Sequence, residues 1–211
     1  RNMEVQILAE HSNSNLLRGR QGGGTSIGNP PSNFPHKGGR DQMEIRIAVQ
    51  VHHSPRLSFR DWPCDAFLEL CRAILEEFPV KIYLTGGPED ADKAASIAAG
   101  LDRVGLRHRC VNRGGALSLR DTAALIEQCA FLITTDTGIM HLGFALDVPT
   151  LAVLHPYNAH RVGPYGYGNR HRAIVMPGPD RDESGRLRPL SAVPPAAVLD
   201  AFRQMYQEAG P

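Results

Sequence analysis

No run of apolar residues in this 211-residue chain approaches the roughly 20 that a membrane-crossing helix needs, and no secretory leader pattern opens it. Charge of neither sign is in excess: 23 Lys and Arg stand against 22 Asp and Glu. There is then no global pull toward nucleic acid or an anionic membrane, and any anion recognition must be local. Aromatic residues make up only 6% of the chain, and neither a basic stripe nor an aromatic platform appears, so nucleic acid is not an expected partner. Cysteine is scarce too. Cys64, Cys71, Cys110 and Cys129 show no C-x-x-C spacing, and three of them sit in apolar patterns. They read as buried reduced thiols. The nine histidines include no His-Glu-x-x-His pair and no Cys/His cluster, so no metal site is expected.

What is present divides at about residue 43. The chain opens on Arg1 rather than methionine, and Met3 to Ala9 alternates weakly, as a strand or the end of a missing domain would. Glu10 to Gln42 is rich in Asn, Ser, Gly and Pro. Such composition buries too little apolar area to offset the entropy of ordering, so 1–43 reads as a linker or the remnant of a missing amino-terminal domain.

Residues 44–211 alternate strands with helices. Strands are predicted at Ile45 to Val51, Val80 to Leu84, His108 to Val111, Leu132 to Thr135, Thr150 to Leu154 and Arg172 to Met176. Asp61 is expected to cap a helix whose apolar face is Phe67, Leu70, Cys71, Ile74 and Leu75. Further helices are expected over Glu89 to Ala99, from Ser118-Leu-Arg-Asp121 to about Cys129, over Gly138 to Leu146, and over Pro194 to Glu208. This alternation predicts an α/β fold: a Rossmann-like, doubly wound, mostly parallel sheet.

One segment carries more chemistry than the rest. Phe131-Leu-Ile-Thr-Thr-Asp-Thr-Gly-Ile-Met-His141 ends an apolar strand in an Asp-Thr-Gly turn that opens a short helix, and Val148 to Leu154 follows as another strand. Such a turn offers backbone N–H groups, a hydroxyl and the positive end of a helix to one point, which suits a phosphate or diphosphate. Asp136 is expected to cap the helix, Thr137 to donate from its hydroxyl, Gly138 to let a ligand come close, and His141 to add a hydrogen bond one turn on. The same residues would also make an ordinary helix start beside a partly buried histidine. Asp-Thr-Gly occurs in aspartic proteases as well, but those pair two such Asp residues, and no second copy exists here.

Other candidates fall where strands end. In His52 to Pro63, Ser54, Ser58 and Arg60 are placed to reach a phosphate, or Arg60 is solvated and Trp62 packs the helix. After Gly86-Gly-Pro88, either Glu89 or Asp90 could accept ribose hydroxyls, or both are helix-start acids matched to the dipole. Leu117 could wall a base or belong to the core. Gly163-Pro-Tyr-Gly-Tyr-Gly168 is a turn-rich loop beside Arg161.

These segments together resemble glycosyltransferase family 9, the bacterial heptosyltransferases of lipopolysaccharide assembly. The matching stretches are Arg60-Asp-Trp-Pro63, Leu84-Thr-Gly-Gly-Pro88, Leu117-Ser-Leu119, Asp136-Thr-Gly-Ile-Met-His-Leu142, Pro149 and Gly163-Pro-Tyr-Gly166. The resemblance implies one half of a two-domain GT-B fold, the half that binds a nucleotide-sugar donor, with ADP-heptose the expected donor and no cofactor. It implies that Asp136, Thr137, Gly138 and His141 hold the diphosphate and neighbouring sugar. Arg60 stands in the place of the family's phosphate-binding lysine, keeping the charge with a different geometry. Pro55 and Arg56 replace expected small hydroxyl residues, which leaves Ser54 or Ser58. Glu89 or Asp90 would meet the ribose and Leu117 the base.

The resemblance also places the acceptor and the general base on an amino-terminal domain, where this chain has only its linker-like stretch. The catalytic residues are therefore unassigned. The expected partners are the nucleotide sugar, a lipopolysaccharide-type acceptor in the complete enzyme, and an amino-terminal domain or a partner chain, with self-association of an uncovered face as a further option. The expected location is cytoplasmic, or peripheral at the inner membrane face. Two other readings remain: a non-catalytic or truncated nucleotide-sugar-binding module acting with another chain, and half of a nucleotide-sugar 2-epimerase.

Overall fold

The computed structural model describes residues 6–8, 44–52, 57–164 and 170–210. Its strands are β1 (Gln6–Leu8), β2 (Ile45–Gln50), β3 (Val80–Thr85), β4 (Cys110–Asn112), β5 (Phe131–Thr135), β6 (Thr150–Leu154) and β7 (Arg172–Val175). They form one sheet in the order β1-β7-β6-β5-β2-β3-β4. All neighbours are parallel except β1, which joins β7 antiparallel at the edge. Within the stretch Met3 to Ala9, the described residues Gln6–Leu8 are a strand.

The first strand of the parallel set, β2, lies in the middle. It pairs with β3 on one side, from Ile45 opposite Val80 to Gln50 opposite Thr85, and with β5 on the other, from Ile47 opposite Phe131 to Val49 opposite Ile133. Successive strands run outward first to one side and then to the other. The order therefore reverses between β2 and β5, and ligands of open α/β sheets bind at the carboxyl ends of strands at such a point.

Helices cover both faces. Because side chains alternate across a strand, Ile47, Val49, Leu151, Val153 and Ile174 face one layer, built from α1 (Cys64–Glu77), α2 (Ala91–Arg103) and α6 (Pro195–Ala209). Ala48, Leu132, Ala152, Leu154, Ala173 and Val175 face the other. That layer is built from α3 (Leu119–Glu127), α4 (Gly138–Ala145) and α5 (Pro156–Val162). The predicted face of α1, Phe67, Leu70, Cys71, Ile74 and Leu75, is fully buried, as are Val198, Ala201, Phe202 and Met205 of α6. Cys71, Cys110 and Cys129 are buried and Cys64 is half-buried, and none of the four forms a disulfide. Burial raises Cys110 to about 11 and Cys129 to about 12, which leaves them protonated and inert at neutral pH.

β4 starts at Cys110, two residues later than expected, because Arg107–Arg109 form a 3-10 turn, and three further details differ from the sequence expectation. α1 begins at Cys64, with Pro63 at its N-cap and no side-chain cap, rather than at Asp61. A proline biases the residue before it to extended backbone, so Trp62 cannot enter the helix. It is instead buried whole, its indole N–H donating to the Val193 carbonyl at 2.9 Å. A 3-10 turn at Pro88–Asp90 precedes α2, which starts at Ala91 rather than Glu89. Last, α5 was not anticipated. Its start is nonetheless well formed, with Pro156 in the first turn and the His155 ring accepting from the Tyr157 N–H at 3.2 Å. The Ser118 cap of α3 forms as expected, accepting from the Asp121 N–H at 3.2 Å. Among the described residues no helix is long and apolar enough to cross a membrane.

Candidate functional site

The loops that follow β2, β3, β4, β5 and β6, with the helices they open into, carry every candidate that lies within the described residues, and all of these loops open on the carboxyl edge. At the reversal point, two of them touch. Arg60 ends a 3-10 turn, Ser58–Arg60, in the loop after β2. Its guanidinium lies 3.3 Å from the carboxylate of Asp136, the residue directly after β5. Asp136 is only 7% exposed and Arg60 is 23% exposed. A buried carboxylate needs such a partner, since water is not there to solvate it. The same carboxylate oxygen accepts from the side-chain amide of Asn158 in α5 at 3.1 Å.

Asp136 is therefore not the cap of α4. Thr137 occupies the N-cap in extended conformation and makes no side-chain cap. Its hydroxyl lies 3.3 Å from that of Thr134 instead. Among the described residues no side chain caps the start of α4, which is the arrangement an incoming anion completes. A Cβ added at Gly138 would meet nothing within 4 Å, so the space before the helix start is open. His141 is exposed one turn further, its ring edge-on to Phe144 at 5.9 Å.

The Arg60 turn is held from two sides. Phe59 packs edge-on against His155 at 5.0 Å and Tyr157 at 6.0 Å, and Arg60 itself lies 5.5 Å from the Phe59 ring centre. On the other side, the Lys93 ammonium donates to the carbonyls of His52 (2.6 Å) and Trp62 (2.7 Å), the two ends of the loop that carries the turn. It also lies 5.0 Å from the Phe67 ring centre. Burial lowers the Lys93 pKa, against the pull of Asp61, Cys64 and Asp90. His155 is kept toward its neutral form chiefly by burial. Its Nδ1 accepts from Tyr157, so Nε2 carries the proton and donates to the Arg188 carbonyl at 2.9 Å.

The two acids after β3 separate clearly. Asp90 is 1% exposed, accepts from the Gly87 N–H at 2.7 Å and lies 3.7 Å from the His52 ring, which raises the His52 pKa. It is turned inward and committed to the loop. Glu89 is exposed and borders a cavity of about 500 Å³ between the starts of α1 and α2, with Asp61, Cys64, Asp92, Lys93 and Ser96 also on its walls. Leu117 is half-buried in the loop between β4 and α3, and Ser58 is exposed two residues before Arg60. Ser54 lies outside the described residues, as do Tyr165 and Gly166; Gly163 and Pro164 are buried at the end of α5.

Sequence reasoning missed Asn158, Phe59, His155 and Lys93. The available signal for the α5 pair was Pro156 directly after a buried strand, which marks a helix start and puts residue 158 in its first turn. Lys93 gave no signal, because a lysine in an alanine-rich helix reads as a solvated one.

The profile of glycosyltransferase family 9 (heptosyltransferase) matches residues 35–188, well over half the chain. Lipopolysaccharide heptosyltransferase 1 of Pseudomonas aeruginosa is 30% identical over 118 residues, covering 56% of this chain and 31% of that protein. Lipopolysaccharide heptosyltransferase 2 of Salmonella typhimurium is 29% identical over 115 residues, 54% of this chain and 31% of that protein. Among solved structures, E. coli ADP-heptose lps heptosyltransferase II superposes with a TM-score of 0.65 at 22% identity, over 80% of this chain and 48% of that one. E. coli heptosyltransferase WaaC with ADP gives 0.61 at 24% identity, over 82% and 47%. Those two structures share the fold. The chain spans about a third of the length of these curated relatives and about half that of the solved chains.

Proposed function

The chain belongs to glycosyltransferase family 9, and on that premise we propose that it binds the donor, a heptose or related sugar on ADP, for transfer to a lipopolysaccharide-type acceptor. The observation that carries this reading is the meeting of Arg60 with Asp136 beside the uncapped start of α4, where the strand order reverses. As the bond between sugar and diphosphate breaks, negative charge builds on the leaving oxygen. A guanidinium and backbone N–H groups already aimed at that oxygen stabilise the charge without reorganising. In this reading Arg60 and the Thr137–Gly138 turn hold the diphosphate, His141 reaches toward the sugar, Glu89 accepts the ribose hydroxyls, Ser58 assists from the Arg60 turn and Leu117 borders the base. Asp136 sets the guanidinium in place. ADP is assigned because WaaC, a solved structure of the same fold, was obtained with ADP. The part assigned to this chain is donor binding; acceptor recognition and removal of the acceptor's proton are not assigned to any residue described above.

Calorimetric titration of the chain with ADP, UDP and ADP-heptose tests the reading. Saturable binding of ADP and ADP-heptose, with UDP at least about tenfold weaker because a base pocket discriminates by its hydrogen bonds and shape, is the expected result. A folded chain that binds none of the three, or all alike, would contradict it.

A further inference from the structure

We infer that Asn158 is a positioning residue: its side-chain amide, from the first turn of α5, holds the Asp136 carboxylate in the orientation that presents Arg60 to the donor's diphosphate. This rests on the donor-site reading above and adds a residue that neither the motif nor its neighbours in sequence point to.

The geometry is a relay of three loops. Asp136 Oδ2 is the shared acceptor, taking the Asn158 amide at 3.1 Å and facing the Arg60 guanidinium at 3.3 Å. A carboxylate only accepts, so the atom of Asn158 facing it is the Nδ2 donor. Asn158 is 8% exposed and Asp136 7%, so neither group can exchange its partner for water without cost. The amide is itself fixed in space. The His155 ring caps α5 and ties it to the Arg188 carbonyl, and the Phe59 ring, next to Arg60, packs on His155 and Tyr157. The start of α5 thus meets the Arg60 turn through two ring contacts on Phe59, and meets Asp136 through the Asn158 amide. Arg60 Nε is buried and has no acceptor among the described residues, so the guanidinium is not wholly spent on Asp136.

The chemistry of an amide at this place is specific. It donates to Asp136 without adding charge, so the cluster keeps one carboxylate against one guanidinium. Asn158→Asp has nearly the same shape but is a donor only when protonated. Two carboxylates this close share a proton in acid and repel when both ionise. At acid pH the variant reproduces the amide's hydrogen bond. At alkaline pH it adds a negative charge to a site that must accept a diphosphate, and it competes for Arg60.

The test is ADP titration of the wild-type chain, Asn158→Leu and Asn158→Asp at pH 5.5 and pH 8, each variant read as a ratio to wild type at the same pH. The charged or titratable groups around the relay are Asp136 itself, Arg60 from the turn before α1, and His155 at the start of α5, on which Asp180 and Arg188 also act; wild type carries all of them, so the ratio reads what the substitution adds. Losing a charge-assisted hydrogen bond is expected to weaken binding on the order of tenfold for Asn158→Leu at both pH values. Asn158→Asp is expected to be weakened comparably at pH 8 and to recover most of that loss at pH 5.5. A purely structural role would weaken both variants alike at both pH values. That result overturns the inference, as does wild-type affinity in Asn158→Leu, and if Asn158→Leu does not fold the pH ratio of Asn158→Asp alone decides. Failure of the wild-type chain to bind ADP would instead overturn the donor-site reading, and this inference with it.

Discussion

Lys93 shows how one side chain sets the position of another without touching it. Its ammonium closes the loop that carries Arg60 by holding the carbonyls of His52 and Trp62. Hydrogen bonds to a charged group contribute about 1.5–3 kcal/mol, and two carbonyls lose their donor together if it is removed. Lys93→Met is therefore expected to lower unfolding stability by about 2 kcal/mol, read by urea titration, and to weaken ADP binding although the residue is assigned no contact with the ligand. Unchanged affinity would mean that the Arg60 turn holds its shape by the Phe59 contacts alone. At this scale the sequence told residue types but not their commitments. Glu89 and Asp90 are adjacent acids at one helix start, and only the positions of Gly87 and His52, which the fold decides, turn Asp90 inward and leave Glu89 free. Likewise Asp136 was recognisable as the key acid of its turn, but its partners Arg60 and Asn158 are 76 and 22 residues away and no local pattern connects them.

Among the elements, α4 matters most, since its start faces the open space before Gly138 and its body must lie close to the sheet. Gly143 makes that approach possible. A Cβ there would fall 2.6 Å from a Leu132 methyl and 2.6 Å from the Thr150 hydroxyl. Gly143→Ala is expected to push α4 outward, costing about 1–3 kcal/mol in thermal or urea unfolding and weakening ADP binding as the helix start shifts. Equal affinity in this variant would separate the helix start from the anion site. Elements with a regular apolar pattern were legible: the buried face of α1, and α6, β5 and β6, lie where the pattern put them. The start of α1 was displaced by the conformational effect of Pro63 on Trp62. α5 escaped notice because seven residues with Ala159 and Val162 as their apolar contribution present no full helical stripe.

Over the whole molecule, buried histidines link stability to pH. His155 and His171 are both held below their ordinary value of 6.5, chiefly by burial. Such a group binds protons more readily in the unfolded chain, so stability is complete at neutral pH and falls as the pH drops below about 6.5. His52, raised by its hydrogen bond to Asp90, acts in the opposite sense: its contribution is full below 6.5 and is lost as the pH rises through its raised value. The melting temperature is expected to fall between pH 7 and pH 5, and His171→Phe, which removes one buried titration, is expected to show a smaller fall. An equal fall in the variant would show that burial of His171 carries no proton linkage.

At this scale too, the reversal of strand order between β2 and β5 is the place proposed for the donor diphosphate. The most direct measurement is an amide nitrogen–proton NMR titration of the chain with ADP. The largest shifts are expected on Asp136 to Met140 and around Arg60, with smaller ones near Glu89 and Leu117. Shifts concentrated elsewhere, such as along β1 and β7 at the far edge of the sheet, would contradict it.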